Sequence, residues 1–114
     1  MRRLVGILLV GLWVVGAALG QAAVVKTVHD EKGWKLTVDD VDLPVNGVVW
    51  SFTPVGENYT YDLFAQPEDV ITKTIDTDMA LMKSMGVTAI RCFSTIPAPW
   101  VEYIYDRFGI YTMV

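Results

Sequence analysis

Cysteine and histidine are nearly absent from this chain: its 114 residues include only Cys92 and His29. One cysteine excludes an intrachain disulfide, and the two counts together exclude a zinc site built from several cysteine and histidine ligands. A nucleophile activated by histidine would have to use His29. We expect Cys92 to be buried and inert, and we predict no metal and no cofactor.

Basic residues are scarce as well, with 9 Lys and Arg against 13 Asp and Glu and a formal net charge of −4. This balance excludes the basic surface that non-specific nucleic-acid binding requires, so we predict no nucleic-acid partner. Apolar residues make up 53% of the sequence, which argues against disorder, and the length allows one small domain at most.

Charge is missing altogether from the 22 residues between Arg3 and Lys26. A basic start, an apolar run and small residues up to Gly20 are typical of a signal peptide, which we predict over residues 1–20. An uncleaved membrane anchor is the alternative, because about 20 apolar residues span a bilayer. Either reading predicts an exported protein, located in the periplasm, at the cell surface or outside the cell. Membrane contact is expected only if the segment is retained.

Residues 21–46 are predicted to form a lead-in and a small hairpin. Residues 34–38 alternate with a period of two, which predicts a strand, and residues 41–45 predict a second strand whose Pro44 marks an edge. The apolar run over residues 48–52 is typical of a buried strand.

Helices and strands alternate in the remainder of the chain. Pro67 and Gly86 suit the start and the end of a helix. This helix has an apolar face at Ile71, Ile75, Met79, Met82 and Met85. A strand at 87–93, a helix at 100–108 and a strand at 110–114 follow. This order predicts parallel β/α units. A final apolar strand without a covering helix predicts an incomplete part of a larger domain.

Three segments resemble clan A glycoside hydrolases, the group that includes families 2, 5 and 72. Leu-Thr-Val-Asp…Leu-Pro-Val-Asn-Gly-Val-Val-Trp, within 36–50, resembles the lead-in hairpin and first barrel strand. Residues 77–91 resemble helix 1 leading into strand 2, and residues 100–111 are similar to helix 2 leading into strand 3. The resemblance implies an α/β fold: an N-terminal hairpin, then the first three strands and two helices of an incomplete parallel (β/α)8 (TIM) barrel, with residues 47–114 as the partial barrel domain.

This resemblance implies the N-terminal fragment of an exported glycosidase or transglycosylase with a carbohydrate substrate. Retaining hydrolysis needs two carboxylates, and in clan A these follow strands 4 and 7. The pair is therefore expected beyond Val114, no catalytic residue is assigned, and the chain alone is predicted to be inactive. The resemblance gives Arg91 the role of orienting the nucleophile, with a structural ion pair as the alternative. A short exported carbohydrate-binding or interaction protein without catalysis is the alternative function.

The loop over residues 53–66 is the candidate sugar-binding segment, because it mixes aromatic and polar side chains. Tyr59, Tyr61 and Phe64 would form a platform against a sugar face, and Glu57, Asn58 and Asp62 would bond the sugar hydroxyl groups. The alternative is that the aromatic rings only hold the loop in place. Trp50 would either form the floor of a sugar subsite or fill the core. Asp78 has no charged partner at helical spacing, so we expect it to be solvated.

Overall fold

The computed structural model describes residues 23–113, and the predicted signal peptide or anchor lies outside them. The elements in chain order are β1 (Val25–Asp30), β2 (Gly33–Val38), β3 (Val41–Leu43), β4 (Gly47–Val49), a short 3₁₀ helix (Leu63–Ala65), α1 (Glu68–Ser84), β5 (Ala89–Arg91), α2 (Ala98–Phe108) and β6 (Tyr111–Met113). Neither α1 nor α2 has the length and apolar character that a membrane-spanning helix needs.

The first three strands form an antiparallel sheet in the order β1-β2-β3. Thr27 pairs with Leu36, and Leu36 pairs with Leu43, so these three side chains share one face. Lys35 projects from the other face, where its ammonium lies 3.2 Å from Asp30 and 2.9 Å from Asp42. The sheet is therefore amphipathic, with ion pairs on one side and mostly apolar groups on the other.

The predicted hairpin is only part of this sheet, because β1 adds a strand that the sequence pattern did not predict. The two aliphatic side chains of β1 are Val25 and Val28, three positions apart. In an extended chain that spacing places them on opposite faces, so β1 shows no period-two signal. Its pairing with β2 was consequently missed.

The second sheet is parallel, in the order β4-β5-β6. Its register aligns Val48 with Ile90 and Ile90 with Thr112. Both helices pack on the face that carries Ile90, and they are joined to it by a continuous core. The buried members of that core are Trp50, Leu63, Ile71, Ile75, Met79, Val87, Ile90, Cys92, Ile96, Ile104 and Ile110.

The prediction of an incomplete TIM barrel is wrong. The described residues form two separate three-stranded sheets, the first of them antiparallel, instead of a hairpin that opens a parallel barrel. The parallel sheet is open: Val49, Arg91 and Phe93 are exposed on the face opposite the helices. Alternating helices and strands predict parallel pairing, but closure into a barrel depends on strand tilt and stagger, which the order of elements does not specify.

A hydrogen-bonded junction joins the chain before β4 to the start of β5. The backbone N–H of Asn46 donates to the Thr88 hydroxyl oxygen at 2.9 Å, and that hydroxyl donates to the Pro44 carbonyl at 2.8 Å. The Asn46 side-chain amide donates to the Gly86 carbonyl at 2.9 Å, where Gly86 ends the turn after α1 with φ +78°. The junction fixes β4 beside β5.

Replacing Thr88 with valine keeps the side-chain shape and removes both hydroxyl bonds of this junction. We expect Thr88→Val to lower the free energy of unfolding by about 1–2 kcal/mol, since each net hydrogen bond contributes about 1 kcal/mol. Urea unfolding measures the loss. Thr72→Val is the control, because it makes the same change on α1, outside the junction. Equal losses in the two variants would contradict the role of the junction.

The core between α1, α2 and the parallel sheet predicts a large effect at Ile75, which is fully buried. Ile75→Ala should lower the free energy of unfolding by about 2–5 kcal/mol, because it leaves a cavity among packed side chains. Leu81→Ala on the same helix is the matched control: Leu81 is 62% exposed, and we expect a change within about 0.5 kcal/mol. Similar urea midpoints of unfolding for Ile75→Ala and Leu81→Ala would contradict the packing of Ile75 in this core.

Candidate functional site

A cleft of about 240 Å³ lies at the carboxyl ends of β4 and β5. Its walls come from the segment after β4, the start of the 3₁₀ helix and the segment after β5. The carboxyl ends of parallel strands meet at one edge of a sheet, so the loops that follow them converge there. This edge is the usual place for a ligand crevice in an open α/β sheet.

Aromatic side chains dominate one wall of the cleft. Phe52 and Tyr61 meet edge to face with ring centroids 6.1 Å apart, an arrangement that aromatic pairs favour. Phe64 lies on the same wall, half-buried, and Tyr59 is 95% exposed among the cleft residues. The cleft therefore has an aromatic surface in which Phe52 and Tyr61 contact each other and the Tyr59 ring projects into solvent.

A short turn positions the two tyrosines. The Asn58 side-chain oxygen accepts hydrogen bonds from the backbone N–H of Thr60 at 2.9 Å and from its hydroxyl at 2.6 Å. The Tyr61 N–H donates to the Asn58 carbonyl at 3.0 Å. Asparagine is favoured in such turns because its side chain bonds the backbone two residues ahead. These hydrogen bonds of Asn58 hold the turn that carries Tyr59 and Tyr61.

Trp50 is the floor of the cleft and is only 6% exposed. Its indole N–H donates to a carboxylate oxygen of Asp78 on α1 at 2.9 Å. The expectation that Asp78 is solvated is therefore wrong: it is half-buried and has a polar partner. That partner is 28 residues away in sequence, so helical spacing contained no sign of it.

The polar side of the cleft consists of Asp62 and three hydroxyl residues, Ser51, Ser94 and Thr95. One Asp62 carboxylate oxygen, Oδ1, accepts the Phe64 N–H at 2.9 Å and so caps the 3₁₀ helix. All four residues are exposed, so their remaining donors and acceptors face solvent. Hydroxyl and carboxylate groups thus lie beside the aromatic wall.

Cys92 lies at the cleft with 7% of its surface exposed. It packs in the core on the face of β5 that carries Ile90, and burial raises the pKa of its thiol. A raised pKa reduces the thiolate fraction at neutral pH, and the thiolate is the reactive form. Cys92 therefore acts as a packing residue.

The structure brings together five of the residues predicted for a sugar site: Trp50, Tyr59, Tyr61, Asp62 and Phe64. Glu57 is an exposed residue of the same loop, but it does not line the cleft. Arg91 lies on the opposite face of the sheet, where its guanidinium sits 5.2 Å from the centre of the Phe93 ring. It forms no ion pair with any described residue.

Ser51, Phe52, Ser94 and Thr95 are polar and aromatic cleft residues that sequence reasoning missed. Ser94 and Thr95 follow β5 after Cys92 and Phe93, and Ser51 and Phe52 follow β4 after Trp50. The signal was their place after a strand that is parallel to its neighbour, since loops at such ends line the crevice.

Comparison with protein-family models, with curated proteins and with solved structures finds no match for this chain. The functional proposal therefore rests on the residues that line the cleft. Its lining includes one carboxylate, Asp62, whereas retaining glycoside hydrolysis needs two about 5–5.5 Å apart. Among residues 23–113 no cluster of His, Cys, Asp and Glu side chains could hold a metal ion. The aromatic, hydroxyl and carboxylate side chains that line the cleft are of the kinds that ligand-binding sites use.

The bond between Trp50 and Asp78 predicts a specific loss of stability. Asp78→Ala leaves the buried indole N–H without an acceptor, so the free energy of unfolding should fall by about 1–3 kcal/mol. Asp78→Asn is the matched control, because its side-chain oxygen still accepts the bond and should preserve most of the stability. Urea unfolding followed by tryptophan fluorescence measures both. Equal losses in the two variants would contradict the role of this bond.

Proposed function

We propose that this protein binds carbohydrate in the cleft at the carboxyl edge of its parallel sheet. The observation that carries the proposal is that the aromatic pair Phe52 and Tyr61 lines the same cleft as exposed hydroxyl and carboxylate residues. A sugar ring has an apolar face of C–H groups and a rim of hydroxyls, so it matches a site with both kinds of surface.

The size of the cleft supports a small ligand. Its volume of about 240 Å³ is below the ~300–1,000 Å³ typical of sites for drug-sized molecules. One sugar ring fits that scale better than a long enclosed chain does. Tyr59, which projects at the mouth, would contact a second sugar unit outside the cleft.

Carbohydrate binding is the part of the prediction that the groups lining the cleft support. The relationship to glycoside hydrolases and the export of the chain both stay predictions from the sequence. Arg91 belongs to that relationship and not to this cleft.

Saccharide binding is tested directly by isothermal titration with methyl glycosides and short oligosaccharides of glucose, mannose and galactose. We expect Tyr61→Ala to weaken binding about twofold to twelvefold, because a stacked aromatic ring contributes about 0.5–1.5 kcal/mol beyond its buried area. Trp34→Ala is the control: Trp34 is 75% exposed but lies on the antiparallel sheet. Failure of the wild-type chain to bind any of these sugars would refute the proposal.

Cys92 provides an independent probe, because it is the only cysteine in the chain and lies at the cleft. We expect slow alkylation of the native protein, since the thiol is buried and its pKa is raised. A saturating sugar that binds in the cleft should slow the alkylation further, by about threefold or more. The bound sugar disfavours the opening of the protein that exposes the Cys92 thiol. Mass spectrometry follows the reaction, and an unchanged rate would place the bound sugar elsewhere.

A further inference from the structure

We infer that Asp62 makes the cleft select sugars by charge, favouring amino sugars over neutral sugars and rejecting uronic acids. The inference rests on the proposed function and names the class of carbohydrate. It starts from the fact that Asp62 is the one charged side chain among the residues that line the cleft.

The segments around the cleft contain no basic residue to neutralise Asp62. Residues 51–72 and 92–106, which include both walls, contain no Lys, Arg or His, while each contains acidic residues. Asp62 itself forms no ion pair within the described part of the chain. A ligand entering here therefore meets an uncompensated negative potential.

The carboxylate of Asp62 is held in place with one oxygen still available. Its Oδ1 accepts the Phe64 N–H, and the Gln66 side-chain amide donates to the Asp62 carbonyl at 3.0 Å. Oδ2 has no hydrogen-bond partner among residues 23–113, and Asp62 is exposed at the cleft. Because the capping bond already orients the group, a ligand ammonium can pair with Oδ2 at little cost in ordering.

The size of the expected selection follows from the partial exposure of the site. Hydrogen bonds between an ammonium and a carboxylate are charge-assisted, whereas a sugar carboxylate would face Asp62 as a like charge. Exposed ion pairs give modest effects, so we expect about a twofold to fivefold step in affinity from uronate to neutral sugar, and again to amino sugar. Salt should compress both steps, because 1 M salt screens charges beyond about 3 Å.

The test titrates the full chain with three series of methyl glycosides, based on glucose, galactose and mannose. Each series contains the neutral sugar, its 2-amino-2-deoxy form and its uronate. At about pH 6 the amine of the amino sugar is protonated and the carboxyl group of the uronate is ionised. The expected order of affinity is amino, neutral, uronate at 20 mM salt, with the steps much reduced at 1 M salt.

Asp62→Asn keeps an oxygen that can accept the Phe64 N–H and removes the charge. In this variant the three forms of each sugar should bind within about twofold of one another. Asp106→Asn on α2 is the matched control, since it makes the same change of net charge at an exposed position outside the cleft lining, and it should keep the wild-type order.

The outcomes separate the two proposals. If neutral sugars bind but the charged forms bind equally well, or if the order survives in Asp62→Asn, the charge selection is wrong and carbohydrate binding stands. If no sugar of any series binds, carbohydrate binding is wrong and the selection falls with it. The salt dependence of the wild-type chain decides the question even if Asp62→Asn does not fold.

Discussion

The burial of α1 and α2 against one face of the parallel sheet is the interaction on which the rest of the structure depends. Ile75, Ile90 and Ile104 are each completely buried where α1, β5 and α2 meet. The strands of this sheet have three residues each, too few to form a stable sheet by backbone pairing alone. Apolar contact with the helices therefore holds β4, β5 and β6 in register.

The cleft is a consequence of that packing. Because β4 and β5 are parallel and neighbouring, the segments that follow them meet at one edge, and the core extends under that edge through Trp50, Ile96 and Cys92. Trp50 connects the floor to α1 through Asp78. A rigid base with an exposed aromatic and polar rim is the arrangement that small-ligand sites commonly have.

Several parts of the fold and of the cleft were predictable because they depend on residues that are close together in the chain. Helix α1 ends near Gly86, the glycine that the sequence marked, and Gly86 adopts positive φ. The loop containing Tyr59 and Tyr61 was singled out for its aromatic content, and both residues do line the cleft. Strand β1 and the partnership of Trp50 with Asp78 were not predicted, because neither leaves a periodic or local signal.

The sequence by itself determined the helices, the direction of the strands around them and the burial of Cys92, since these follow from periodicity, turn residues and apolar content. Tertiary structure decided that the sheets remain separate, that Arg91 and Glu57 lie away from the cleft, and that Ser94 and Thr95 join it. The physical reason is the distance along the chain over which each interaction acts. A turn or an apolar stripe acts over a few residues, whereas sheet closure and the convergence of loops depend on contacts between residues distant in the chain.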